Sequence, residues 1–265
     1  MTAGFGVDHI GLLGPDIETM AIACRNLGFT ITGPEELYGS GSNGERVPLG
    51  QSSAHIMFAR DYIELSSVHT PSPDHHLGRY LNGPYGIRIL ILASDDIAAS
   101  AARAAAAGFA LGPIQTATRD IHYGDRGTAE FRWCELRHRG LTAALVAFVE
   151  HKTPERVFAE TPSHPNGAVG LRGLATVDAG LAEALAPLAA DGGGIPLHVL
   201  SEAALRDDFG LEPCDCTPLC VAELGCGAVA ETREYFLNHG IDFSERNGKL
   251  MTVAADTAFV FAAAD

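Results

Sequence analysis

Two stretches of the chain carry the same arrangement of side chains. Asp61-Tyr62-Ile63-Glu64-Leu65-Ser66-Ser67-Val68 alternates, is rich in β-formers and reads as a strand. Ala147-Phe148-Val149-Glu150-His151 repeats its aromatic–aliphatic–Glu ending. A carboxylate set between aliphatic residues is costly to bury unless it is paired or coordinates a metal. Two of them in matching strands suggest two halves of one site. An ionised carboxylate of this kind can also act as a general base.

The elements that must position Glu64 and Glu150 repeat as well. Val7–Leu13 reads as a strand containing His9, and Asp16 caps a helix in which Ile17, Met20, Ala21 and Cys24 recur at helical spacing. Phe29–Thr32 reads as a second strand, residues 35–51 as a Gly-, Ser- and Asn-rich loop, and residues 54–59 and 62–68 as further strands. After a polar loop with His75, His76 and Tyr80, the order restarts. It runs through strand residues 86–92 with Arg88, an Ala-rich helix behind Asp95 or Asp96, and later strands over residues 130–137 and 141–151. Gly108-Phe109 follows Gly28-Phe29 by 80 positions and Glu150 follows Glu64 by 86, with every element in the same order between them. That is an internal duplication. If the two modules pair about a pseudo-two-fold axis, their fourth strands are expected side by side, with Glu64 facing Glu150. Residues 152–167 hold three Pro without periodicity and read as a linker. Beyond them the strand and helix pattern returns in worn form, without a Tyr-Ile-Glu-Leu-like strand.

Composition bounds what the chain can do. Its 265 residues are 46% hydrophobic and 19% charged, enough for a substantial core. The formal net charge is −15, and from Glu160 onward there are 16 acidic against 5 basic residues. Such a surface argues against nucleic acid and anionic membranes as partners. No apolar run is long enough to span a bilayer, and Met1-Thr2-Ala3-Gly4 does not open a signal peptide. Six Cys in a chain this long make no disulfide framework, so a reduced, cytoplasmic protein is expected. Neither Gly-x-Gly-x-x-Gly after a strand nor a Gly-x-Ser-x-Gly elbow occurs.

His on a first strand, Leu-Gly-Phe after the helix and Tyr-Ile-Glu-Leu on a fourth strand resemble the vicinal oxygen chelate superfamily. More narrowly, they resemble its glyoxalase-like proteins. Gly127 to Trp133 and the tail Lys152-Thr153-Pro154-Glu155 with His164-Pro165-Asn166-Gly167 are similar to the same group. The resemblance implies an α+β fold of paired βαβββ modules forming a cup-shaped mixed sheet, with a duplicated N-terminal pair and a degenerate C-terminal pair. It divides the chain into residues 1–155, which carry the site, and 156–265. It implies one divalent metal ion (Zn, Ni, Mn, Co or Fe) held by His9, Glu64 and Glu150. The second module has Arg88 where a second His would stand, and an Arg cannot ligate a metal because it stays protonated. His55, His122, His151 or water would then complete the sphere.

Each of these residues has a plainer reading too. His9 reads equally as a hydrogen-bonded core histidine, and Glu64 as a solvent-facing strand carboxylate. A slip of one residue would turn His151 inward in place of Glu150. Arg88 either clamps a substrate carboxylate or phosphate, pairs with Glu64 or Glu150 in place of the metal, or is exposed. His75 and His76 lie on a lid or a solvated loop, and Tyr62 and Trp133 read as core. Cys214, Cys216, Cys220 and Cys226 cluster, but without the two-residue spacer usual in zinc sites. The expected function is a metal-dependent lyase or isomerase acting on a small oxygenated metabolite, with Glu64 and Glu150 catalytic and Arg88 binding substrate. The alternatives are a metal-free binding protein of the bleomycin-resistance type and an extradiol-type dioxygenase. The expected partner is a small molecule; a homodimer is left open.

Overall fold

The computed structural model describes residues 4–41, 43–72, 74–123, 126–158, 162–189, 194–212 and 217–264. A two-residue strand β1 (Gly4–Phe5) precedes the first module, which runs β2 (Val7–Leu13), α1 (Ile17–Asn26), β3 (Glu35–Ser40), β4 (Arg46–Met57) and β5 (Tyr62–Val68). The second runs β6 (Gly86–Ala93), α2 (Ile97–Ala106), a short β7 (Ala110–Leu111), β8 (Gln115–Ile121), β9 (Gly127–Arg137) and β10 (Leu145–His151). Both are βαβββ units, and both helices begin on an Asp. Asp16 accepts from the Thr19 amide, and Asp96 from the amides of Ala98 and Ala99.

The sheet order β10-β6-β2-β5-β4-β3-β8-β9-β7 is closed by the pairing of β10 with β9, so eight of the nine strands form a barrel. The expected cup is therefore a closed ring. The first strands β2 and β6, not the fourth strands, meet antiparallel at its centre, and β3 meets β8 on the far side. The fourth strands β5 and β10 lie on the outer flanks of β2 and β6. Closure satisfies the edge hydrogen bonds of both modules and leaves alternate residues of each strand facing a common lumen.

Residues 29–32, expected as a strand, are irregular, whereas the expected loop over residues 35–51 contains β3 and the start of β4. The Gly, Ser and Asn content of that loop is overridden by pairing on both sides, since β3 is bonded to β4 and β8 at once.

A short α3 (Pro154–Val157) leads to the second half: β11 (Ala168–Thr176), α4 (Ala179–Leu185), β12 (Ile195–Val199), α5 (Glu202–Phe209), β13 (Leu219–Cys226), α6 (Val229–His239), β14 (Ser244–Arg246), β15 (Lys249–Ala254) and β16 (Thr257–Ala263). These strands make a seven-stranded open sheet in the order β1-β12-β11-β13-β16-β15-β14. Its edge is completed by β1, from the start of the chain. Helix α5, unforeseen in the sequence, lays Leu205 and Phe209 against Val221 and Val260, on the face of the sheet opposite Phe259 and Phe261. The core runs without a break from α1 and the outer face of the barrel into this sheet, where Phe29 meets Phe259 and Phe261. Cys220 and Cys226 are buried in β13, and Cys214 and Cys216 lie outside the described residues. Among the described residues, no helix is long and apolar enough to cross a membrane.

Candidate active site

The lumen of the barrel is a cleft with two unlike walls. Strands β2, β4 and β5 contribute His9, Gln51, Ser53, Tyr62 and Glu64; β6, β9 and β10 contribute Ile89, Ile91, Phe131, Trp133, Leu145 and Val149, and β8 adds Arg119. Alternation explains the division. Gln51, Ser53 and His55 fall on one face of β4, and Tyr62, Glu64 and Ser66 on one face of β5, which pairs with it in register. In β10 the inward residues are Leu145, Ala147 and Val149.

Glu64 is almost fully buried and densely held. Its Oε1 accepts from Ser53 Oγ at 2.7 Å, from Gln51 Nε2 at 3.2 Å and from the Ser66 hydroxyl, and its Oε2 lies 3.4 Å from His9 Nε2. His9 Nδ1 is 2.7 Å from Asp8 Oδ1, and Asp8 Oδ2 is 3.0 Å from His151 Nε2. A bulge in the β2–β6 ladder between Val7 and His9 allows the adjacent Asp8 and His9 to meet, where regular alternation would point them apart. The result is a chain of alternating carboxylates and imidazoles, Glu64–His9–Asp8–His151. Tyr62 stacks on His9 with ring centroids 4.2 Å apart.

The charges follow from this chain. Burial works to raise the Glu64 pKa, but the His9 hydrogen bond and charge, with His55 and Ser66, hold it well below the usual carboxylate range. Burial works to lower the His9 pKa, but the hydrogen bonds and charges of Asp8 and Glu64 together raise it above the usual imidazole value. His55 is pushed far down by burial and by the Arg119 cation, and its neutral Nε2 accepts from Arg119 Nη1. His76 lies in the cleft wall beside Trp133, its pKa pushed down to about 4 by burial.

Of the residues expected at the site, the structure brings His9 and Glu64 together and leaves Glu150 and Arg88 elsewhere. Glu150 is on the outer face of β10, where it accepts from the Ile97 amide at the start of α2 (3.2 Å) and from Lys152 Nζ (2.6 Å), with Arg132 at 3.4 Å. Its residue parity is opposite to that of Leu145, Ala147 and Val149, so it does not face Glu64. His151, the one-residue alternative, is the inward neighbour. Arg88 is not among the cleft residues; it sits at a second bulge of the β2–β6 ladder, between Ile87 opposite Leu12 and Ile89 opposite Gly11, beside the Tyr80 ring. It donates to Pro84 O from Nε and Nη2 and to Ala143 O from Nη1, tying two loops together. His55 is in the lumen, bound to Arg119, and His122 is not among the cleft residues. Tyr62 and Trp133, expected as core, form part of the cleft wall.

These residues do not fit the expected metal centre. Among the described residues, no group of three or more His, Cys, Asp or Glu is placed to hold an ion. Strands β6, β9 and β10 of the second module offer an apolar wall where further ligands would stand, and its β8 offers a cation, Arg119. Glu64 is already supplied with donors, and the buried Arg119 cation lies near it.

Arg119, Gln51, Ser53, Asp8 and Ser66 were not singled out in the sequence. The period-two run Gln51-x-Ser53-x-His55 was the available signal for a polar inner face of β4. Arg119 had none, because one Arg in an alternating strand reads the same whether it points in or out.

The family model described as a glyoxalase-like domain matches residues 7–190, which spans the whole barrel and the first part of the second half. The chain belongs to the glyoxalase-like domain family. The resemblance to the vicinal oxygen chelate superfamily therefore holds, and with it the α+β fold of paired βαβββ modules. Similar solved structures include a hypothetical protein from Staphylococcus aureus, at 9% identity over 98% of this chain and 86% of that one (TM-score 0.48). They also include methylmalonyl-CoA epimerases from Streptomyces coelicolor and Mycobacterium tuberculosis. The first is 17% identical over 57% of this chain and 99% of its own, with a TM-score of 0.40. The second is 18% identical over 57% of this chain and 90% of its own, with a TM-score of 0.39. No curated protein matches the sequence. In this glyoxalase-like chain the barrel brings the first-strand His9 and the fourth-strand Glu64 together, opposite the apolar side chains of β6, β9 and β10.

Proposed function

We propose that the barrel is a small-molecule site that moves a proton on a carbonyl-bearing ligand without a metal ion. The reaction would be of the isomerase or lyase kind, beginning with removal of a proton beside the carbonyl. The observation that carries this reading is the Glu64–His9–Asp8–His151 chain at the polar wall of a cleft whose other wall is apolar. Glu64 is ionised, the form that accepts a proton, and the donors that keep it so weaken it as a base, which suits it to a ligand whose proton is already acidic. His9, its Nδ1 held by Asp8, fixes the orientation of Glu64 through Nε2. The apolar wall takes the ligand's body and excludes water, which strengthens these interactions. The metal route through His9, Glu64 and Glu150 is not part of the proposal, because its third ligand lies on the other face of β10.

One observation favours binding without turnover: Oε1 of Glu64 is saturated by donors, an arrangement suited to a fixed anion. Deuterium wash-in separates the two readings. A panel of small enolisable carbonyl compounds is incubated with the protein in D2O and followed by proton NMR. We expect exchange into at least one compound and a drop of about 100-fold or more in Glu64→Gln, the scale of a lost general base. Undiminished exchange in Glu64→Gln would remove Glu64 from the mechanism. Compounds that bind without exchanging would establish the sequestering reading instead.

A further inference from the structure

Arg119 is the feature of the lumen that the proton-transfer chain leaves unused. It sits on β8 in line with Ala117 and Ile121 and is only 5% exposed, yet two of its three nitrogens have no partner. Nη1 donates to His55 Nε2, and His55 is itself held by Thr32, which fixes the guanidinium plane. The free nitrogens are Nε and Nη2, which share one edge of the guanidinium. That edge presents two parallel N–H groups at the spacing of the two oxygens of a carboxylate. Buried donors without partners are destabilising by themselves, and so point to a ligand that completes them. Glu35, which also lines the cleft, does not complete them, since both its oxygens are unpartnered too.

We infer that Arg119 is the anchor for a monocarboxylate ligand whose apolar or aromatic body lies against Phe131, Trp133, Leu145 and Val149. The inference deepens the proposed function, resting on the lumen being the ligand site, and names the class of ligand. Charge selects a carboxylate over a phosphate ester. Arg119 is the one Lys or Arg among the described residues lining the cleft, and Glu35, Glu36 and Glu64 line it as well. With Glu35, Glu36 and Glu64 already lining the cleft, a dianion meets more like-charge repulsion there than a monoanion does, and the two free N–H groups match the two oxygens of one carboxylate.

The test uses the full chain and its single tryptophan, Trp133, which lies in the cleft wall and reports occupancy by fluorescence. Three probes with the same body are titrated: 3-phenylpropionate, 3-phenylpropionamide and 2-phenylethyl phosphate. We expect saturable quenching by the acid with a Kd at least about tenfold below that of the amide, as for a lost charge-assisted pair. The phosphate should be weaker than the acid. In Arg119→Met, folding being checked by circular dichroism, the acid should lose about tenfold or more while the amide changes less than about threefold. The wild-type series decides the matter even if that variant does not fold. Equal affinities for acid and amide would overturn the carboxylate assignment and leave the lumen reading standing. A phosphate that binds as well as the acid would overturn it in favour of phosphate. Absence of quenching by all three would remove the lumen as the ligand site, and this inference with it.

Discussion

At the scale of single residues, parity within a strand decides role more than residue type does. Glu64 and Glu150 have the same local sequence and opposite fates. One faces donors inside the barrel, and the other caps α2 and pairs with Lys152 outside it. Arg88 and Arg119 are each buried on a strand of the second module and also differ in what meets them. Each of the three Arg88 nitrogens donates to a loop carbonyl, while two of the three Arg119 nitrogens are unpartnered in the lumen. Arg88→Ala is therefore expected to leave ligand affinity within about twofold and to lower stability by about 1–3 kcal/mol, the range for losing hydrogen bonds from a buried charged donor. Urea unfolding beside a Trp133 titration checks both halves of that statement. A large loss of affinity with unchanged stability would return Arg88 to the site. Sequence alone left these parities open, because Phe-Val-Glu-His presents Glu150 and His151 to opposite faces and a shift of one residue exchanges them.

At the scale of elements, the barrel depends on the close approach of β2 and β6. Gly11 faces Ile89 across that pair, and a Cβ built on it would lie 2.7 Å from the Ile89 Cβ. Gly11→Ala should destabilise the protein by about 1–3 kcal/mol, the usual range for overpacking. It should also weaken ligand binding, because Ile89 is part of the cleft wall. Thermal unfolding and Trp133 quenching would show both. A neutral substitution would mean that the strands can separate without loss. The duplicated order of strands and helices was legible in the sequence, since hydrophobic periodicity, Asp caps and Gly-Phe turns recur at an even offset. Barrel closure was not. It depends on β3 pairing with β8 and β10 with β6, and those pairings are set between segments far apart in the chain. The residues of β3 were read as a loop for the same reason, because its two partners hold it in place and its own composition does not. Helix α5 carried only a weak apolar pattern and takes its place from the sheet it covers.

At the scale of the whole molecule, the degenerate half is packed onto the barrel as part of one core, and polar contacts between the halves respond to pH. Asp61, just before β5, accepts the Leu171 amide of β11 at 2.9 Å. Its pKa is raised from 3.8 to about 6, by burial first and by the nearby Asp8, against the Leu171 hydrogen bond. A carboxyl whose folded pKa is raised binds its proton more tightly in the folded state, so its contribution to stability is complete below pH 4 and is lost as pH rises toward 6. Asp61→Asn keeps the acceptor without the charge. Its melting temperature should match wild type at pH 4 and exceed it at pH 7; equal values at both would show Asp61 to be solvated. The central claim is that the barrel moves a proton with its own side chains. The most direct measurement is the wash-in rate, for a compound that exchanges, after exhaustive chelation and again with one equivalent of Zn, Ni, Mn, Co or Fe. The account predicts a rate that stays within about twofold throughout, because the donors facing Glu64 are Ser, Gln and His side chains and not an ion. Loss of exchange on chelation, with recovery on adding one equivalent of metal, would contradict it.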